Sequence, residues 1–175
     1  IDPENAQYFF DGVTGHMLRN NVTRHAQKAR IGMPLPPARA AIFTQHIDEF
    51  KRSSPYVETL PMLKSTLLAC APGRVTVKLH PHQRHETVKA IKDLLAQFPH
   101  AVLCTASVHD QIAAAEIIVT QNSTAGFEAL MQRKPIITCA PCAYHHATLV
   151  VKDEFSMKTA LETACARQES FPFEA

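Results

Sequence analysis

From Ala40 onward the chain alternates between short apolar runs and amphipathic stretches. "AAIF" (40–43) is apolar and gives way to the polar "TQHIDEFKRSS". Leu60, Leu63, Leu67, Leu68 and Ala71 recur at helical spacing, and Pro72-Gly73 ends that stretch. "RVTVKL" (74–79) alternates and is rich in Val, so it predicts a strand. Val88, Ile91, Leu95 and Phe98 form a second helical stripe, and "AVLC" (101–104) predicts the next strand. A short helix is expected over "SVHDQIAAA" (107–115). "EIIVT" (116–120) is apolar on both faces, as a central parallel strand requires. "AGFEALMQ" reads as helix, "KPIITC" and "TLVV" as strands, and Met157, Ala160, Leu161, Ala164 and Cys165 mark a final helix. This alternation predicts an α/β fold, a parallel sheet with helices on both faces.

Such sheets bind ligands beyond the carboxyl ends of their strands. Polar clusters follow the predicted strands here: "TQHID", "HPHQ", "TASVHD", "TQNSTAG" and "TCAPCAYHH". All five are expected along one sheet edge. Residues 1–39 carry less pattern. "AQYFFDG" reads as a short strand and "HMLRNNVTRHAQKAR" as a short basic helix, closed by the Pro-rich "MPLPPAR". The expected division is an N-terminal segment or linker over 1–39 and one α/β domain over 40–175.

Composition narrows the function. The 175 residues are 46% hydrophobic, enough for a proper core. Net charge is +2, without long runs of like charge, which gives little support to nucleic-acid binding. The apolar runs are too short for a transmembrane helix, and no signal-peptide pattern is read at the start. Five cysteines, mostly in apolar runs, suggest reduced thiols and a cytoplasmic setting. The "CAPC" pair at 139–142 with His145 and His146 resembles half a zinc site. Adjacent histidines chelate poorly, however, so a loop with two reduced thiols is the better reading and no metal is expected. No D-x-D and no G-x-S-x-G occur.

The candidate chemistry lies in two stretches. In "QNSTAGFEA" a strand passes into a helix through Gln121, Ser123, Thr124 and Gly126. Unpaired N–H groups, hydroxyl donors and a Gly that lets a ligand approach suit a phosphate. Ser and Thr are also favoured N-caps, so capping and ligand binding both remain open. A capping box would need Glu or Gln three residues after the cap, where Gly126 or Phe127 stands. Glu128, one turn into the helix, is placed to accept bonds from ribose hydroxyls. In "VKLHPHQ", His80 follows a strand directly, with Lys78 two residues back on the same face.

"VKLHP", then "QNSTAGFEAL", "KPIIT" and "AYHH", resembles the capsule polysaccharide biosynthesis family, bacterial transferases of 3-deoxy-D-manno-octulosonic acid (Kdo) with two Rossmann domains (GT-B). A gentler similarity runs to bacterial sialyltransferases. The likeness covers about residues 40–155. It implies a Rossmann-like donor-binding half that uses a CMP-activated sugar, CMP-Kdo first among them, without metal or other cofactor. His80 would contact the donor phosphate or sugar carboxylate and act in catalysis. Gln121, Ser123, Thr124 and Gly126 would line the phosphate site, Glu128 would hold the ribose, and Lys78 would be a second cation. His46 and Asp48 would lie near the cleft mouth. The chain departs from the family where an aromatic, Gly-containing segment is usual: here "CAPCAYHH" offers Tyr144 alone. One Rossmann domain leaves the acceptor half missing or reduced to a remnant in residues 1–39. The implied partners are a nucleotide-sugar donor, a saccharide or glycolipid acceptor and an acceptor-binding domain, working in the cytoplasm or at the inner membrane. The alternatives are a non-catalytic nucleotide-sugar-binding domain, a sialyltransferase, or a UDP-sugar GT-B enzyme.

Overall fold

The computed structural model describes residues 2–47 and 54–166; Asp48 lies outside them. The apolar runs form six strands: β1 (Ala38–Phe43), β2 (Val75–Lys78), β3 (Ala101–Leu103), β4 (Ala115–Thr120), β5 (Ile136–Thr138) and β6 (Leu149–Val150). They make one sheet in the order β3-β2-β1-β4-β5-β6, every neighbouring pair parallel. The chain steps outward from β1 to β3, then returns to lay β4 on the other side of β1. That reversal opens a crevice beyond the carboxyl ends of β1 and β4. The register is level there, with Phe43 opposite both Lys78 and Thr120.

Each strand buries alternate residues on opposite faces. Ala40, Ile42, Val75, Val77, Ile117 and Val119 pack against α2 (Thr59–Cys70), α3 (His85–Leu95) and α6 (Met157–Ala166). Ala41, Phe43, Ile118 and Ile136 pack against α4 (Val108–Ala114) and α5 (Thr124–Leu130). Ile42, Ile117 and Ile118 are essentially fully buried, each contributing about 1.5–3 kcal/mol by burial. The expected parallel sheet with helices on both faces is therefore present.

The N-terminal region differs from expectation. "AQYFFDG" is not a strand but part of α1 (Pro3–Arg19), started by Asp2, whose side chain accepts from the Glu4 N–H, and by Pro3 in the first turn. The basic stretch is helical only as far as Arg19. Asn21 then takes a left-handed φ of 52°, and residues 20–37 run without helix or strand. Tertiary bonds hold them instead. Asn21 Oδ1 accepts from Gln27 and Ser107, Gln27 Oε1 accepts from the Val108 N–H, and Asp110 accepts from the Gly32 and Met33 N–H groups. Partners on α4 outweighed local helix propensity. No described helix is long and apolar enough to cross a membrane.

Candidate functional site

A cleft of about 970 Å³ opens at the crevice beside β1 and β4. Its wall draws on the turns after β1, β2, β3 and β4, so four of the five polar clusters meet there. The fifth, "TCAPCAYHH", stays behind α5. Residues 23–29, not singled out from sequence, form the outer wall and bring Arg24, His25 and Lys28 to the cleft.

The turn into α5 forms one side. Ser123 caps the helix, its hydroxyl accepting from the Ala125 N–H at 3.2 Å, while its own N–H donates to Thr120. The cap expected from sequence is real. Ser123 and Thr124 both border the cleft, as does Asn122. Glu128 lies on the same wall, 5% exposed, and its Oε2 is buried without a hydrogen-bond partner. Burial pushes its carboxyl up to about 7, and a hydrogen bond from the Arg24 backbone offsets part of that rise. A protonated, half-satisfied carboxyl facing a cavity can both donate to and accept from a polar ligand.

Two expected contact residues sit elsewhere. Gln121 is fully buried outside the cleft wall; its carbonyl accepts from Thr59 and its amide donates to the Val57 carbonyl, joining β4 to the start of α2. In this conformation its side chain supports the turn and does not line the cleft. Gly126 was expected to open the backbone to a ligand, but Tyr144 takes that space. A Cβ there would stand 3.0 Å from two Tyr144 ring carbons, and the Tyr144 hydroxyl donates to the Ser123 carbonyl. Gly126 thus admits the Tyr144 ring. The aromatic in the departing segment braces α5 from behind.

Histidines dominate the opposite side. The His80 N–H donates to the Thr44 hydroxyl, which in turn donates to Gln83 Oε1. The Gln83 amide donates to the Gln45 carbonyl. This chain ties the turn after β2 to the turn after β1, and with His25 from the N-terminal segment four imidazoles come together. The His80 and His46 rings stack with centroids 4.3 Å apart, and His25 and His82 stand 5.2 and 5.6 Å from His80. Burial, then the neighbouring imidazoles and Arg24, push His80 down to about 4. His80 Nδ1 accepts from the His82 N–H, so its neutral ring carries the proton on Nε2. Lys78 also lines the cleft, but its ammonium donates to the Ala106 carbonyl at 2.6 Å, and burial lowers its pKa. Among the described residues no three His, Cys, Asp or Glu are placed to hold a metal ion. Cys139 is fully buried and pushed up to about 12, which opposes thiolate chemistry.

Among solved structures the chain is similar to two KpsC structures from Thermosulfurimonas dismutans. The β-Kdo 2,7-transferase shares 20% identity over 84% of this chain and 46% of its own, with a TM-score of 0.55. The β-Kdo 2,4-transferase shares 17% over 95% and 56%, also at 0.55. The UDP-GlcNAc 2-epimerase of Methanocaldococcus jannaschii shares 14% over 99% and 46%, again at 0.55. At these identities the likeness is one of fold, and the chain spans about half the length of each. No curated protein matches. The family described as "Capsule polysaccharide biosynthesis protein" matches residues 51–165, which includes β2 to β6 and both "VKLHP" and "QNSTAGFEA". The chain belongs to the capsule polysaccharide biosynthesis family.

Proposed function

We propose that this chain is the donor-binding half of a glycosyltransferase that uses a CMP-activated sugar, CMP-Kdo, in capsule or surface polysaccharide biosynthesis. The observation that carries the reading is the single cleft that brings His80, Ser123, Thr124 and Glu128 together at the β1–β4 crevice. His80 Nε2–H and the Ser123 and Thr124 hydroxyls are donors suited to a phosphate, and Glu128 is a carboxyl suited to ribose hydroxyls. The Kdo-transferase names of the two KpsC structures support the choice of sugar.

In this mechanism an acceptor hydroxyl attacks the anomeric carbon, and the bond to the phosphate oxygen breaks with its electron pair left on the phosphate. The donors of the cleft stabilise the growing charge. Acceptor and general base come from a partner domain, and the reaction takes place in the cytoplasm or at the inner membrane. A second reading, a UDP-sugar site, draws on the epimerase fold likeness.

Thermal shift with CMP, UMP, UDP and GDP tests the assignment. Stabilisation by CMP above the others is expected, about 2.7 kcal/mol at a hundredfold excess over Kd. Selective stabilisation by UDP would overturn the CMP reading, and no shift with any nucleotide would favour a domain that binds no nucleotide.

A further inference from the structure

The four imidazoles reach the cleft from three separate stretches: His25 from the N-terminal segment, His46 after β1, and His80 and His82 after β2. His25 also meets His82 at 5.5 Å, so His25, His80 and His82 form a near-even triangle with His46 stacked on one corner. The other charged groups bordering the cleft are mostly cations: Arg24 and Lys28 beside His25, Lys78 at the end of β2, and Lys92 on α3. Glu128 on α5 is the one carboxyl among the described lining residues, and burial raises it to about 7, so that it carries only part of a negative charge near neutrality. Imidazoles this close share protons poorly, because each charge raises the cost of the next. Burial first, and then these neighbouring imidazoles and Arg24, hold His80 down to about 4. An anion placed among them reverses the balance and lets the cluster gain a proton.

We propose that His25, His46, His80 and His82, with Arg24, form one oxyanion subsite for a doubly charged phosphate, and that the anion enters together with a proton. The subsite rests on the donor-site reading through His80 and deepens it. A sugar nucleotide's phosphodiester carries one negative charge, while the nucleoside monophosphate left after transfer carries two. The acceptor hydroxyl loses one proton to the partner domain's base in the same step, and the imidazole cluster takes up a proton from solvent as the dianion forms. The subsite therefore favours the released phosphate over the intact donor. Linkage fixes the sign: uptake of a proton on binding makes affinity rise as pH falls, by about tenfold per pH unit for each proton.

Sulfate is a suitable probe because it remains a dianion from about pH 6 to about pH 8, the range in which imidazoles titrate. Calorimetric titration of the whole chain with sulfate, in two buffers of different ionisation enthalpy, reads proton uptake directly. The expected result is tighter binding at the lower pH and buffer-dependent heat equivalent to nearly one proton. The double variant His25→Gln, His82→Gln should bind at least about tenfold more weakly at low pH and lose most of the uptake, whereas Lys92→Met should weaken binding with the uptake intact. Binding independent of pH with no buffer-dependent heat overturns the proposal on the wild-type chain alone. So does proton uptake that survives the double variant. Proton-coupled sulfate binding without CMP selectivity would sink the donor reading and keep the subsite; CMP selectivity without proton uptake would do the reverse.

Discussion

On one side of the cleft, Ser123, Thr124 and Glu128 belong to a single strand-to-helix turn. On the other, His25, His46, His80 and His82 arrive from three stretches far apart in the chain. The first wall is held by its own secondary structure: β4 ends, Ser123 caps α5, and the helix direction places Glu128. The second is held by side-chain bonds between loops, through Thr44, Gln83, Asn21 and Gln27. A wall built on regular elements resists local change. A wall built on a few polar bonds depends on each of them.

Catalysis gives the sharpest test of whether both walls serve one ligand. In a CMP-Kdo transfer assay with the acceptor half present, His80→Ala and Ser123→Ala should each lower the rate about 10²- to 10³-fold. If only one of them matters, the walls do not hold a common substrate. A smaller effect should separate the walls by stability. Asn21→Ala removes bonds to Gln27, Ser107 and the Ala29 carbonyl and should cost about 1–3 kcal/mol in denaturant unfolding, with residues 20–33 losing hydrogen-exchange protection first. Gly126→Ala should cost a similar amount by displacing Tyr144, yet leave that segment protected. Equal loss of protection in both variants would erase the distinction.

The smallest expected effect is pH-dependent. Glu128 has a folded pKa of about 7, raised from the ordinary 4.5, so its contribution is fully favourable below 4.5 and is lost as pH rises to about 7. Glu128→Gln should therefore stabilise the chain by about 1–3 kcal/mol near pH 8 and leave it unchanged near pH 4. His80 works in the other direction. Its pKa is lowered from 6.5 to about 4, so its contribution is lost as pH falls through that window. Unfolding curves across pH would show whether the two limbs separate. A Glu128→Gln gain that does not vary with pH would deny the buried carboxyl its role.

The strand and helix alternation from Ala40 onward was legible because its helices carry a clear apolar stripe and its strands are short apolar runs between turn signals; "AQYFFDG", a short run without such a stripe, was misread and lies in α1. Strand-end clusters pointed to the right sheet edge, since all six strands are parallel and their carboxyl ends share one edge. Gln121 and Gly126 were singled out from the right turn, but their contacts are tertiary. Gln121 meets Thr59 and Val57, and Gly126 meets Tyr144, all partners that a local pattern does not name. Residues 23–29 were missed for the same reason. Their basic character was visible, yet their conformation depends on α4.

What the sequence determined by itself is the periodic part from Ala40 onward: six strands, the helices α2 to α6, the Ser123 cap and the position of His80 at a strand end. These follow from local spacing and local hydrogen bonds. Only the tertiary structure decided that His25 and His46 stand beside His80, that Glu128 is buried against Arg24, and that Tyr144 fills the space over Gly126. Those outcomes depend on desolvation and on bonds between distant residues, which exist only once the strands have taken their order.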